Sequence, residues 1–468
     1  MFERFHRAEE GVAMIVALLV AFVVLIISIS VMTISIHSLE SSGYDRERLL
    51  SVNAAEAGLN RWFEKLETTP LSQLPCGSLD EPLLSGPTGT EYSASVTYYR
   101  GSDGTTELTC PLVAGRSPRS ARIVSTGLVS GTERTMETFI RLDPNTGNGV
   151  AILATDGATF GNNSTLYGDE SNDADVYITN GNLTVNQQVT FNGNVFVSNG
   201  SAAMSGSALV RGDLWAKLSV SLQNPAIVEG SMKSTSGTAS GTGRVLGDVS
   251  VGGATIQNSL KVTGTRTTNV VMSNPPTQTF PQITTSLTSW AAAGFYTGAT
   301  TAFTSCATAW NWIRDSWGSS GIKDVVVRVT ASPACTFSEP ANDPITMHGS
   351  LAIINSGGYS LSNHPVFQGS GNESLYLISP YTGTACSSPT DIRDIKLENQ
   401  VEFLDVSLLL YTPCRVTLNN QNRFTGQVLG GTVTVANNFS LQFAPVEVPG
   451  VTVITGFDQD IAYIRETN

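Results

Sequence analysis

An uncharged apolar stretch close to the N-terminus constrains this chain more than any other feature of its sequence. Residues 12–36 read VAMIVALLVAFVVLIISISVMTISI and contain no Asp, Glu, Lys or Arg. As a helix, this stretch would extend about 37 Å, enough to cross a hydrocarbon core of about 30 Å. A signal peptide has an apolar core of only about 7–15 residues and a small-residue cleavage site, which is absent here. The sequence therefore predicts a retained transmembrane helix at 12–36, preceded by a short leader at 1–11.

The cysteines, rather than the charges, indicate the orientation in the membrane. Arg4 and Arg7 precede the span and Arg46 and Arg48 follow it, so the positive-inside rule favours neither side. All six cysteines follow the span, none has CxxC spacing, and the four histidines do not group with them. This pattern disfavours zinc and favours disulfides in an oxidising compartment, with the N-terminus in the cytoplasm.

Cysteine connectivity does not follow from the sequence, and two alternatives stay open. One is that the six cysteines are buried free thiols. The other, which we expect, is that neighbours in sequence pair with each other. The expected pairs are Cys76–Cys110, Cys306–Cys335 and Cys386–Cys414.

The helical pattern continues beyond the apolar stretch. Apolar residues recur near helical spacing up to Leu66, and Pro70 and Pro75 then end the pattern. Within it lies the run AAEAGL, whose small residues allow close packing of the helix. The sequence thus predicts an amphipathic continuation of the helix over 37–69. The run comprises Ala54, Ala55, Glu56, Ala57, Gly58 and Leu59.

Two segments together resemble a known family. EEGVAMIVALLVAFVVL followed by NAAEAGLNRWFE is similar to the N-terminal segment of PilX-type type IV pilus assembly proteins, which are minor pilins. The resemblance covers residues 1–67 and implies cleavage by a prepilin peptidase between Gly11 and Val12. It departs from major pilins at the fifth residue of the mature chain, where Val16 stands in place of Glu. A plain single-pass anchor is the alternative.

A small β-region is expected between the helix and residue 147. Residues 70–90 are rich in Pro and Gly, which is typical of an irregular loop. Residues 91–99 alternate as a strand does, and 121–142 read as two strands around a turn at 130–132. A long helix packed on a few antiparallel strands is a pilin-like α+β arrangement, and we expect it over 70–147.

From residue 148 the sequence acquires a period. Gly193, Gly212, Gly230 and Gly247 each open a Gly–polar–apolar triplet, at intervals of 19, 18 and 17 residues. Short β-rich runs lie between them. A steady period of this size is typical of stacked coils that bury their inner faces against one another. The sequence predicts a right-handed β-helix (β-solenoid) over 148–268, with a β-sandwich as the alternative.

The C-terminal part has the same texture. NNQNRFTGQVLGGTVTVANN is similar to the coils of bactofilin-like, polymer-forming β-helices. We expect further solenoid coils over 345–450 and a tail over 451–468. The predicted fold class is therefore mainly β, with a long N-terminal transmembrane α-helix, a pilin-like α+β segment and a β-solenoid.

A segment rich in tryptophan, residues 269–344, interrupts the repeat. One interpretation is an aromatic surface that contacts a sugar or another pilus subunit. The alternative is that these side chains form the small core of the insert itself. The tryptophans are Trp290, Trp310, Trp312 and Trp317.

No specific catalytic set emerges, and we expect no enzyme activity and no cofactor. G-x-S-x-G, P-loop and H-E-x-x-H motifs are missing. Asp169, Asp173 and Asp175 are weak candidates for Ca²⁺, although their spacing does not fit an EF-hand and a solvated loop is the simpler interpretation. His348 and His364 are isolated. We therefore expect no metal.

These features together predict a membrane-anchored minor pilin that displays a β-solenoid outside a bacterial inner membrane. Its expected partners are the lipid bilayer, other pilin subunits and the inner-membrane pilus assembly machinery. The net charge of −13 argues against nucleic acid as a partner. The alternatives are a surface adhesin or glycan-binding module and, less favoured, a β-helix carbohydrate-active enzyme.

Overall fold

One helix carries the N-terminal part of the chain. The computed structural model describes residues 6–82, 89–113, 115–145, 150–168, 174–330, 334–338, 344–362, 365–387 and 390–467. Helix α1 extends without interruption over His6–Thr68, as expected from the apolar stretch and its amphipathic continuation. Pro70 precedes a short 3₁₀ turn at Leu71–Gln73. The predicted end of the helix is confirmed.

A small antiparallel sheet packs against the second half of α1. Its first four strands are in the order in which they occur in the chain, and each pairs with the next. Alternate side chains of the second and third strands are buried, as expected for a sheet with one covered face. These strands are β1 (Ser78–Pro82), β2 (Thr90–Tyr99), β3 (Ser120–Val129) and β4 (Thr132–Asn145).

Short parallel strands then build the first half of a β-solenoid. Most have three residues, with the outer two buried and the middle one partly exposed, so each strand contributes two side chains to the interior. The strands are β5 (Val150–Ala154), β6 (Ala158–Phe160), β7 (Ser164–Tyr167), β8 (Asp175–Ile178), β9 (Leu183–Val185), β10 (Val189–Phe191), β11 (Val195–Val197), β12 (Ala202–Met204), β13 (Leu209–Val210), β14 (Leu214–Ala216), β15 (Val220–Leu222), β16 (Ile227–Val228), β17 (Met232–Ser234), β18 (Ala239–Gly241), β19 (Arg244–Val245), β20 (Val249–Val251), β21 (Lys261–Val262) and β22 (Arg266–Thr267).

The second half begins with short helices and continues with longer strands. Helices α2 (Thr288–Ala292) and α3 (Cys306–Asn311) precede most of it, and a π-helical turn follows at Trp312–Ser316. The strands are β23 (Ala302–Phe303), β24 (Val325–Val329), β25 (Cys335–Ser338), β26 (Ile345–Thr346), β27 (Leu351–Asn355), β28 (Tyr359–Ser362), β29 (Val366–Ile378), β30 (Ile395–Leu397), β31 (Glu402–Leu418), β32 (Arg423–Val435) and β33 (Ser440–Phe443).

The two halves form one continuous stack, but not in chain order. Strand β32 pairs with β5 and β6, so the last coils of the chain lie on its first coil. One row of thirteen strands, counted among the described residues, follows the whole stack. Its order is β23, β24, β27, β29, β31, β32, β5, β8, β11, β14, β17, β20 and β22.

An uncharged, proline-containing segment returns the chain from one end of the stack to the other. We call residues 268–287 the strap. Thr235 and Ser198 donate their hydroxyls to strap carbonyls, at 3.1 and 2.7 Å. Beyond the β32–β5 contact, the Tyr411 hydroxyl donates to the carbonyl of Pro281 at 2.6 Å. The strap therefore crosses the boundary between the halves and holds both.

The repeated Gly–Asn/Asp pattern has a clear structural role. The side chain of each polar residue accepts a hydrogen bond from the backbone N–H of the equivalent residue one coil further on. Asn194 Oδ1 accepts from the N–H of Asp213 at 2.9 Å, and Asp213 Oδ1 accepts from the N–H of Ser231 at 2.7 Å. A similar asparagine ladder, from Asn420 to Asn437 to Asn162, crosses the boundary between the halves at 3.2 and 3.1 Å.

The later part of the predicted insert, after the strap, belongs to the solenoid. Strands β23, β24 and β25 form parallel pairs with other solenoid strands, so the solenoid coils begin again before residue 345. Trp310 stacks on Phe337 with ring centroids 4.4 Å apart, and Trp317 is fully buried. Because α3 and these rings close one end of the stack, Trp310 and Trp317 belong to the core of the solenoid rather than to a separate core of the insert. The expectation of an aromatic contact surface is wrong for Trp290, Trp310 and Trp317, which are buried, while Trp312 is half-buried.

The C-terminal segment is not a tail. Residues Gly456–Thr467 form β34, which pairs antiparallel with β4 and completes a five-stranded sheet. Its side chains are mostly exposed, so the segment lacks the strong alternation that would identify a strand from sequence. The chain thus leaves the small sheet after β4 and returns to it beside the same strand.

The predicted disulfide pairing is confirmed. Bonds join Cys76 to Cys110, Cys306 to Cys335 and Cys386 to Cys414. The first lies in the small β-region, the second fixes α3 to β25, and the third fixes a loop to β31.

The ladder generates a testable prediction. Replacing Asn194 by Ala removes the acceptor for the N–H of Asp213 and the donor to Asp175 Oδ1. We expect Asn194→Ala to lower the free energy of unfolding by about 1–2 kcal/mol, measured by urea denaturation followed by circular dichroism. The control is Asn60→Ala, at an exposed position of α1. Equal stability of the two variants would contradict a stabilising role for the ladder.

Candidate functional site: the apolar stem and its base

The first half of α1 projects without contacts. Its apolar side chains from Met14 to Leu39 are 44–73% exposed, and they lie on all sides of the helix. Among the described residues, this is the one helix long and apolar enough to cross a membrane. A helix that is apolar all round is stable only inside lipid or among other apolar helices. We call residues 14–39 the stem.

Three hydroxyl groups of the stem are satisfied within the helix. Ser28 and Ser30 donate their hydroxyls to the carbonyls of Val24 and Ile26 at 2.8 and 2.9 Å. Thr33 donates in the same way to the carbonyl four residues earlier, at 2.9 Å. No water is needed to saturate these hydroxyls, so they do not oppose burial in an apolar environment.

The AAEAGL run lies at the base of the stem and packs on the small sheet. Ala54, Ala55 and Leu59 are almost completely buried against it. A Cβ added to Gly58 would lie 2.2 Å from Ser125 Oγ, so only glycine permits this approach. From the sheet, Gly127 faces the helix backbone, and a Cβ there would lie 2.1 Å from the carbonyl oxygen of Ser51. The small residues therefore fix α1 to its own β3.

A charge cluster on the outer face of the sheet fixes the C-terminal strand. Glu137 on β4 accepts hydrogen bonds from Arg122 on β3, and from Tyr463 and Arg465 on β34 at 2.7 and 2.8 Å. Its side chain is only 4% exposed. The Arg122 guanidinium, followed by Tyr463 and Arg465, lowers the pKa of the Glu137 carboxyl to about 2.

One carboxylate joins the sheet to the solenoid. Glu447, in the connection from β33 to β34, accepts from the backbone N–H of Gly115 at 3.0 Å and from the Ser117 hydroxyl. Arg119 pairs with it at 3.4 Å. A buried solenoid tyrosine, Tyr376, donates to the carbonyl of the same glutamate at 2.8 Å. One buried acid and its donors thus form a central part of the junction.

Among the remaining sequence candidates, those that the structure describes are not brought together. Gly11 and Val12 lie within α1, but their side chains are outside the described residues. Asp175 accepts from Asn194 in the ladder at 2.7 Å, whereas Asp169, Asp173 and His364 are not described. His348 is exposed beside the Trp317 ring.

A possible metal group has another role. Cys386, Asp391 and Cys414 are the one such cluster among the described residues. The two cysteines are bonded to each other, and the carboxylate of Asp391 binds Arg393, with Nε 2.9 Å from Oδ1. Disulfide sulfur is not the thiolate that metals require, so the cluster stabilises a loop.

Comparisons with known proteins add little to this geometry. No family model matches the chain, and no curated protein matches it. The crystal structure of the competence-associated pilin ComZ from Thermus thermophilus is similar over 90% of this chain and 97% of that chain, with 12% identity and a TM-score of 0.27. A TM-score of this size carries no inference, so the mainly β fold class, which agrees with the expectation, rests on the elements described above.

The base of the stem generates a second prediction. Gly127→Ala places a methyl group against helix backbone that has no room to move, and we expect a loss of about 1–3 kcal/mol in the free energy of unfolding. The control is Gly43→Ala, which meets no atom within 4 Å and gains helix propensity of up to about 1 kcal/mol. Thermal unfolding of both variants in detergent checks this. A Gly127→Ala variant as stable as the parent would refute the close approach.

The Glu137 cluster generates a prediction about pH. Because the folded pKa lies below the ordinary value, the cluster stabilises the fold above about pH 4.5, and this stability is lost as the pH falls towards 2. Glu137→Gln should lose about 1.5–3 kcal/mol at pH 7 and depend less on pH in that window. Glu133→Gln, at an exposed site on the same strand, is the control. Parallel pH profiles for Glu137→Gln and the parent would exclude the cluster as their origin.

Proposed function

We propose that this chain is a membrane-anchored minor pilin, or type IV pilus assembly protein, that displays its β-solenoid outside the bacterial inner membrane. The observation that supports this most is the stem, an apolar helix that emerges bare from a folded domain. Its mechanism is assembly by burial: the stem resides in the bilayer and then exchanges lipid for the apolar helices of neighbouring pilin subunits.

The energetics of the stem favour both environments over water. Burying a Leu, Ile, Val, Phe or Met side chain stabilises by about 1.5–3 kcal/mol, and the stem carries many of them on every side. Lipid and an apolar helix bundle are similarly apolar, so transfer between them requires little free energy. Pilus assembly machinery in the inner membrane would then need to supply little free energy to move the stem from lipid into a bundle of helices.

The disulfides support the proposed orientation. All three bonds lie beyond the stem, in the sheet and the solenoid. Such bonds persist in oxidising compartments such as the periplasm, which supports a single-pass topology with a cytoplasmic N-terminus. The solenoid is attached through its middle coils, so both of its ends extend away from the stem. A solenoid that extends to both sides of the stem suits the tip of a filament better than its shaft.

The adhesin alternative loses the tryptophan surface that motivated it. The tryptophan-rich segment closes one end of the solenoid rather than forming an aromatic surface. Asp175, the described member of the Asp169–Asp175 group, accepts from the backbone N–H of Asn194 in the ladder. The minor pilin role therefore stays the best supported.

Prepilin processing tests the proposal. We expect the protein isolated from cells to begin at Val12, because a prepilin peptidase would remove residues 1–11. N-terminal sequencing and intact mass measure this, and Gly43→Ala, which leaves the leader untouched, is the control variant. A chain that retains Met1 would reduce the proposal to a plain membrane anchor.

Surface pili provide a second readout of the proposal. Deleting the gene should reduce surface pili or the functions that depend on them, and the wild-type gene should restore them. Normal piliation, adhesion and DNA uptake in the deletion strain would contradict a role in the pilus.

A further inference from the structure

A polar cleft lies where the small sheet meets the side of the solenoid. Its volume is about 340 Å³, within the range of small-ligand sites. The sheet side supplies guanidinium groups and the solenoid side supplies hydroxyls. The residues that matter here are Arg100, Arg116, Arg119 and Arg141 from the sheet region, and Ser350, Ser374 and Ser407 from the solenoid.

The three serines form a regular row. Each stands directly before Leu351, Leu375 or Leu408, and these leucines are in register on three successive coils. Parallel neighbours lie about 4.8 Å apart, so the row extends about 10 Å along the cleft wall.

Three of the four arginines already have carboxylate partners. Arg100 pairs with Asp324, which also accepts from the backbone N–H of Ser350 at 2.8 Å. Arg119 pairs with Glu447 at 3.4 Å. The exposed pair of Arg141 and Asp460 is 2.8 Å apart. These pairs hold the junction together. They also neutralise the three arginines, which therefore have little net charge with which to bind a ligand.

Arg116 is different. Its Nε is buried and has no hydrogen-bond partner, and the ion pairs among the described residues of this region do not include its guanidinium. The guanidinium lies beside Gly294, at φ +87°, where an added Cβ would approach Nη1 to 3.0 Å. Asp143, the remaining acid of the lining, is exposed and has contacts of its own. A guanidinium without an acidic partner keeps its charge available, and an anion in the cleft would pair with it.

We propose that the cleft binds an acidic sugar, with the sugar carboxylate on Arg116 and the sugar hydroxyls along the serine row. A planar carboxylate matches the guanidinium fork in a way that a neutral sugar does not. One unpaired cation calls for a single negative charge, which favours a uronic acid over a phosphate dianion. This inference is independent of how the stem assembles.

The test uses the full chain in detergent micelles and isothermal titration calorimetry with D-glucuronate, D-glucose and inorganic phosphate. We expect saturable binding of glucuronate and none of glucose. Arg116→Ala should weaken glucuronate binding about tenfold or more, and Arg116→Lys should weaken it less. Arg211→Ala, at an exposed arginine on a distant coil, should bind as the parent does.

A second variant guards against a simple folding defect. Ser407→Leu replaces one hydroxyl of the row by a larger apolar side chain on the cleft wall and leaves every arginine in the sequence unchanged. It should abolish binding while unfolding at the parent temperature. The proposal is overturned if the parent does not bind glucuronate, if phosphate binds as tightly as glucuronate, or if well-folded Arg116→Ala retains full affinity.

Discussion

Backbone hydrogen bonding between coils is the constraint on which this molecule depends. A single coil of short parallel strands cannot satisfy its own N–H and C=O groups, and it buries its inner side chains only against its neighbours. In this chain the first coil obtains its second neighbour from the C-terminal half, because β32 pairs with β5 and β6. The strap makes this closure possible, since it carries the chain back along the outside of the stack.

The junction between sheet and solenoid follows from the same closure. Since the first and last coils are neighbours, the chain enters and leaves the solenoid at one place, and β4 and β34 can pair in the small sheet. Glu447 lies on the return connection, where it accepts from both a backbone N–H and side chains of the sheet region. The small sheet, in turn, fixes α1 through Gly58 and Gly127, so one contact between coils ultimately positions the stem.

Local features of this fold could be predicted from the sequence, and long-range ones could not. The stem and its continuation follow from composition and helical period, and the coils follow from the 17–19-residue spacing of Gly193 to Gly247. The pairing of β32 with β5 joins residues far apart in sequence and leaves no local pattern. Trp310 and Trp317 show a related limit, because an aromatic cluster has the same composition in a core as on a surface. The unpartnered Arg116 depends on which groups the fold brings near it, so no sequence signal marks it.

The arrangement of the two connections has a mechanical consequence. A pull on the N-terminal helix reaches the solenoid through β4 and β34, which lie side by side and enter adjacent coils. Tension therefore enters the centre of the stack by a covalent path through β4 and by a hydrogen-bonded path through β34, and neither free end of the solenoid bears load. A solenoid loaded in this way would resist unfolding from its two ends under tension.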